Sequence, residues 1–150
     1  MRYFLDTEFN GFGGALLSIA LVPEDGTEFY ATLACDEEIL PWVERNVMPY
    51  LDHVPVGLAA PRVSRCDAAT ELSHYLAVDR APVIVADWPE DIAQFCNLLM
   101  TGPGEMVPVP PLAFELMPLG GFSTAANSTV PHNALHDARA LKEHVLGLEP

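Results

Sequence analysis

The run Ala15-Leu16-Leu17-Ser18-Ile19-Ala20-Leu21-Val22 constrains this chain's fold more than any other stretch. Successive side chains of a strand point to opposite faces, so a nearly continuous apolar run must be covered on both. Pro82-Val83-Ile84-Val85-Ala86 is a shorter, β-branched version and predicts a central parallel strand. Two such strands call for a sheet with helices on each side. Neither run is long enough to cross a membrane.

The flanking residues supply the rest of the sheet. Asn10-Gly11-Phe12-Gly13-Gly14 and Pro23-Glu24-Asp25-Gly26 are turn sequences, with strand patterns beyond them at Tyr3–Phe9 and Thr27–Leu33. Three strands joined by short turns form an antiparallel meander. Helical spacing follows an Asp36 cap through Ile39, Leu40, Val43 and Val47, with Pro41 tolerated near the start. Further helices are predicted from Asp67 to Val78, from about Asp91 to Met100, and from Ala134 to Leu146. Met48–Arg65 and Thr101–Gly121 read as proline-rich irregular segments, the second with a short strand near Leu112–Leu116. The order β-β-β-α-α-β-α-β-α gives an α/β fold whose mixed five-stranded sheet, three antiparallel strands followed by parallel ones, is flanked by helices. This is the ribonuclease H-like architecture. No repeat or linker divides residues 1–150, so one domain is expected.

The first strand ends in Asp6-Thr7-Glu8, which places both acids on one face. Carboxylates so close repel unless a cation lies between them or one is protonated. Hard oxygen donors on a rigid strand suit Mg²⁺ or Mn²⁺. Alone, the pair reads first as an edge strand with two solvated acids, and the rest of the chain must decide. Asp87 closes the second buried strand, Asp91 follows on the next helix, and His132 precedes Asp137 by four intervening residues.

The bulk composition limits the partners. The formal net charge is -14, from 21 acidic and 7 basic residues. Proteins that grip long nucleic acids by their phosphates are normally basic. Even with four carboxylates neutralised by two divalent ions, about ten negative charges remain, so any nucleic-acid contact must be local and metal-assisted. Cys35, Cys66 and Cys96 are odd in number and lack C-x-x-C spacing, which indicates neither a disulfide framework nor a zinc site. Met1-Arg2-Tyr3 enters a strand pattern at once, unlike a secretion signal. A cytoplasmic protein with free thiols and no membrane contact is expected.

These acids carry a resemblance. Asp6-Thr7-Glu8-Phe9, Asp91 and His132-Asn133-Ala134-Leu135-His136-Asp137-Ala138 resemble, in order, the three motifs of the DEDDh 3′-5′ exonucleases. Met1 to Phe9, Trp42-Val43 and Asn46-Val47-Met48-Pro49 are similar in particular to the small exoribonucleases of the mycobacterial RNase AS type. The resemblance implies that Asp6, Glu8, Asp91 and Asp137 hold two Mg²⁺ or Mn²⁺ ions about 4 Å apart, with His132 as general base. It also implies a single-stranded nucleic-acid 3′ end, RNA rather than DNA, and a homodimer, for which the apolar segment from Pro103 to Pro118 is the candidate interface.

Neighbouring residues compete for several roles. Asp87 is an alternative to Asp91 as the second-motif acid, although a polar residue four positions earlier also fits Asp87. Asp91 has a plain reading as a helix cap after Pro89. His136 adjoins Asp137, but the spacing selects His132. His53, His74 and His144 read as ordinary surface or interface histidines. Thr7, Phe9 and Phe12 are placed to receive the terminal nucleotide, with an aromatic surface for a base. Trp42 and Trp88 read as core, Trp88 near enough to the second motif to flank substrate. Arg139, or Arg62 with Arg65, is a candidate phosphate contact; Arg139 otherwise pairs with acids alongside Lys142 on one helix face. A DNA exonuclease and a catalytically silent binding module are the rival readings.

Overall fold

The structure is a computed structural model and describes residues 1–117 and 120–149. Along the chain lie β1 (Arg2–Phe9), β2 (Leu16–Pro23), β3 (Phe29–Thr32), α1 (Pro41–Asn46) and a 3₁₀ turn (Met48–Tyr50). There follow α2 (Arg65–Leu76), β4 (Val83–Ala86), α3 (Pro89–Leu99), β5 (Met100–Gly102) and β6 (Glu105–Met106). Then come β7 (Ala113–Leu116), α4 (Thr124–Asn127) and α5 (Ala134–Gly147). Five strands form one sheet in the order β3-β2-β1-β4-β7. β1 pairs with β2, and β2 with β3, antiparallel; β4 runs parallel to both β1 and β7. This is the mixed, helix-flanked sheet of a ribonuclease H-like fold.

All eight residues of β2 are buried, as its apolar run requires. On one face of the sheet Tyr3, Leu5, Ile19, Leu21 and Ile84 pack against Leu72 and Leu76 of α2 and Phe95 and Leu98 of α3. On the other, Phe4, Ala20, Val22 and Val85 pack against Leu135, Ala138, Leu141 and Val145 of α5. Odd and even positions of β1 therefore lie in different cores. Burying each large apolar side chain contributes about 1.5–3 kcal/mol, so both layers matter to stability.

Several elements differ from the sequence reading, each for a local reason. α1 starts at Pro41, not at an Asp36 cap; its N-cap, Leu40, makes no side-chain cap bond. Proline suits the first helical position because it has no N–H to satisfy. The preceding acids serve another purpose, for Glu37 Oε2 accepts the Ala15 N–H at 3.1 Å and ties that segment to the β1–β2 turn. α2 begins at Arg65, two residues before Asp67, because Ser64 caps it: its hydroxyl accepts the Asp67 N–H at 3.1 Å. α3 begins at Pro89 with Trp88 as N-cap, so Asp91 is inside the first turn and is not the cap. The strand expected near Leu112–Leu116 is β7, whereas the β5–β6 hairpin and α4 fall in segments read as irregular or left unassigned. Trp42 and Trp88 are not core; they are 52% and 51% exposed. The candidate interface from Pro103 to Pro118 ends at Pro118, which lies outside the described residues. No helix among the described residues is long and apolar enough to cross a membrane.

Candidate active site

The carboxyl-terminal ends of the interior strands β1 and β4 meet the first turns of α3 and α5 at one end of the sheet. Asp6, Thr7 and Glu8 come from β1, Asp87 follows β4, and Asp91 and Asp137 lie in the first turns of α3 and α5. Beside Glu8 the β1–β2 register shifts: Glu8 opposes Ser18 but Phe9 opposes Leu16, so Leu17 is an extra residue in β2. Bulges of this kind raise local twist and re-aim side chains near sites. Across the strand ends, Asn10 anchors the turn. Its Oδ1 accepts the Leu40 N–H at 2.9 Å and its Nδ2 donates to the Glu38 carbonyl at 2.9 Å. A side chain at Gly14 would come within 2.1 Å of the Asn10 carbonyl oxygen, so the close return of the turn requires glycine there.

The acids fall into two groups that share β1. One donor atom each from Asp6, Asp87 and Asp91 lies within 4.8 Å of the others, and the same holds for Glu8, His132 and Asp137. Asp6 and Glu8 are alternate residues of the same strand, so the two groups stand side by side. Asp6, Glu8, Asp91 and Asp137 are buried, while Asp87 and His132 are partly exposed. A cleft of about 390 Å³ opens onto all six, with Thr7, Phe9 and Trp88 in its wall.

Burial without a counter-charge dominates the electrostatics. It drives the Asp6 carboxyl well above the usual range, helped by the charges of Asp91, Glu8 and Asp137. Burial first, then Asp137 and Asp91, raises Glu8 to about 8. Burial raises Asp91 to about 7, against the Thr7 hydrogen bonds that favour its ionised form. Asp137 rises to about 6 by burial, with the nearby Ser128 hydroxyl and then the His132 N–H opposing the shift. Burial also raises Asp87 and lowers the His132 imidazole, which favours a neutral ring near pH 7.

Among the described residues, no arginine or lysine pairs with any of these acids. Arg2 binds Glu24 and Glu149, and Arg139 binds Glu28. Asp137 Oδ1 is buried with no hydrogen-bond partner. Clustered carboxylates, an orphaned carboxylate oxygen and the lack of protein cations fit divalent ions with oxygen ligands. The donor set suits Mg²⁺ or Mn²⁺, with His132 at its margin.

Sequence reasoning missed three features. Thr7 donates from both its N–H, at 3.1 Å, and its hydroxyl, at 2.6 Å, to Asp91 Oδ1, thereby orienting that acid. Nothing local signals a bond between residues 84 apart. Asp87 joins the Asp6–Asp91 group and does not stand in place of Asp91. His136 has both ring nitrogens engaged: Nδ1 lies 2.7 Å from the Thr129 hydroxyl and Nε2 2.9 Å from the His53 carbonyl oxygen. The carbonyl only accepts, so Nε2 carries the proton and Nδ1 accepts from Thr129. His136 thus links two loops.

The expected substrate residues divide. Phe9, Phe12 and Trp88 form an aromatic strip along the rim, with 6.4 Å between successive ring centroids and Phe12 83% exposed. Arg139 is not brought to the cleft, because its guanidinium grips Glu28 through two bonds of 2.7 and 2.5 Å. Arg62 lies 3.9 Å from Asp52 and Arg65 donates to the Asn97 carbonyl, both away from the acids. His53 and His74 are exposed, and His144 stacks on Phe122 at 4.0 Å. Cys35, Cys66 and Cys96 are unbonded thiols.

No family model matches the chain. Two curated relatives do: the 3′-5′ exoribonucleases of Mycobacterium tuberculosis strains CDC 1551 / Oshkosh and ATCC 25618 / H37Rv, each 39% identical over 83 residues. The match covers 53% of this chain and 48% of each relative, so it spans about half of either protein. By sequence, then, part of this chain is similar to part of two mycobacterial 3′-5′ exoribonucleases.

Proposed function

We propose that this chain is a metal-dependent 3′-5′ exoribonuclease of the DEDDh type that removes nucleoside 5′-monophosphates from single-stranded RNA ends. Asp6, Glu8, Asp91 and Asp137 would hold two Mg²⁺ or Mn²⁺ ions, and His132 would act as general base. The observation that carries this reading is the pair of donor groups divided between Asp6 and Glu8 on one strand. The partial similarity to two exoribonucleases supports it.

When bound, the ions would supply Lewis-acid stabilisation of charge on the phosphate oxygens and on the attacking water. The remaining roles belong to side chains. The neutral His132 imidazole accepts the proton of the attacking water. Thr7 holds Asp91 in one orientation, the office usually filled by a ligand's outer hydrogen-bond partners. Phe9, Phe12 and Trp88 provide ring faces for unstacked bases, a sequence-tolerant contact that does not depend on positive charge. Elsewhere the acidic surface repels phosphates, which confines binding to chain ends that reach the ions. The same reading treats the chain as one exonuclease domain, cytoplasmic and homodimeric; light scattering tests the last point, and a monomer overturns it.

The test uses matched 5′-labelled RNA and DNA oligomers with Mg²⁺, Mn²⁺ or EDTA, on the wild type, Asp6→Ala and His132→Ala. The expected result is a ladder shortening from the 3′ end, faster on RNA, absent with EDTA and lost in both variants. Preference for DNA would make the protein a DNA exonuclease. No ladder from folded, metal-bound protein would make it a binding module.

A further inference from the structure

The His132 imidazole has no hydrogen-bond orienter among the described residues; only its backbone N–H is held, by Asp137 Oδ2 at 3.3 Å. A general base is ordinarily fixed by a third group that orients its ring. The main chain alone is a poor substitute, because His132 sits at φ 60, in the left-handed region that few non-glycine residues adopt. What the ring does touch is Trp42. The two centroids are 5.1 Å apart and the planes meet at 80°, an edge-to-face contact.

We propose that Trp42 is the positioning residue for His132, setting the imidazole toward Glu8 and Asp137 by an aromatic contact in place of a hydrogen bond. Trp42 is anchored for this purpose. It lies in the first turn of α1, whose start is fixed by the Asn10 bond to the Leu40 N–H and whose next residue, Val43, is buried. Its own carbonyl accepts the Asn46 side-chain amide at 2.7 Å. Asn10 directly follows Phe9 at the end of β1, so the strand that carries Glu8 also fixes the element that carries Trp42. The indole is 52% exposed and contributes little to any core, which leaves it free for this contact. The rival role is base stacking, since Trp42 also borders an apolar slot of about 230 Å³ beside Phe9, Phe12 and His132.

The inference rests on His132 as general base, and the experiment separates the two. Steady-state kinetics on 5′-labelled RNA with metal would compare the wild type, W42F, W42L and H132A. Since a general base contributes roughly 10²–10⁴-fold, a misaimed one should cost about tenfold in kcat. W42L should show that loss with KM within about twofold of wild type, and W42F, which keeps a ring, should recover most of it. A raised KM with intact kcat in W42L would make Trp42 a stacking surface and overturn the proposal. Unchanged kinetics in W42L, with activity lost in H132A, would also overturn it; intact kcat in H132A would instead overturn the reading beneath it. A second readout needs no turnover: the His132 ring C–H resonances, assigned by their disappearance in H132A, should shift in W42L as the indole ring current is lost. Resonances that stay in place in W42L would show no contact and overturn the proposal.

Discussion

Glu24, Glu28 and Glu149 have arginine partners, whereas Asp6, Glu8, Asp91 and Asp137 have none among the described residues. The difference appears in their protonation. Hydrogen bonds from Arg2 lower Glu24 and Glu149, and those from Arg139 lower Glu28; burial raises the four cleft acids. With only seven basic residues, the chain commits several to its periphery and none to the cleft. The cleft therefore has a deficit of positive charge that only bound cations or protons can remove. An acidic protein is no poorer a candidate for handling nucleic acid if the cations at the reacting phosphate come from solution.

The largest effect expected from this contrast is on turnover. Asp6→Asn keeps the shape of the side chain but removes its charge, and should lower kcat on RNA by on the order of 10³-fold, the equivalent of about 4 kcal/mol of charge stabilisation. A variant within tenfold of the wild type would break the assignment. Metal-free Asp6→Asn should nonetheless melt higher than the metal-free wild type at pH 8, because it relieves like-charge repulsion.

A smaller effect comes from Thr7, the hydroxyl that substitutes for a cation beside Asp91. Thr7→Val keeps the side-chain volume and should weaken Mg²⁺ affinity by about 10–100-fold, measured by calorimetry. Unchanged affinity would show that the N–H alone orients Asp91.

The two groups of acids should also respond to pH in opposite directions. Cleft carboxylates with raised folded values stabilise the metal-free protein most fully below the ordinary carboxylate range, and that contribution is lost as pH rises through about 6 to 8. Glu24 and Glu28, lowered by arginine, contribute above the ordinary range and lose their contribution as pH falls below it. Between pH 5 and pH 8.5 the melting temperature of metal-free protein should therefore fall. Adding Mg²⁺ at about 100 times its Kd should restore about 5–10 °C at the upper end, corresponding to roughly 2.7 kcal/mol. A melting temperature indifferent to both pH and Mg²⁺ would mean that the cleft acids do not form one cation site.

The smallest effect concerns the periphery. Arg139→Ala removes a partly exposed pair and should cost about 1 kcal/mol or less in stability, with KM for RNA unchanged. A raised KM would restore Arg139 as a phosphate contact.

What the sequence disclosed follows from periodicity and spacing. The unbroken apolar runs of β2 and β4 required a sheet covered on both sides, and the spacing of His132 ahead of Asp137 singled out two side chains that the fold brings together beside Glu8. Less legible was anything that depends on how distant segments meet. The Thr7 bond to Asp91 and the inclusion of Asp87 depend on β1 and β4 lying side by side, which no local pattern states. Trp42 and Trp88 looked like core because large aromatics usually are, yet both lie where the sheet's end is open. The start of α1 is equally hidden: Asp36 is a good cap by composition, while Pro41 and the Asn10 bond to the Leu40 N–H set the first turn instead.

The cleft takes Asp6 and Glu8 from β1 and Asp137 from α5, segments separated by almost the whole length of the chain. During synthesis, the first two acids leave the ribosome long before the residues that complete their site have been joined. A nascent chain not yet translated through α5 therefore carries Asp6 and Glu8 without the Asp137 that stands beside them in the folded cleft.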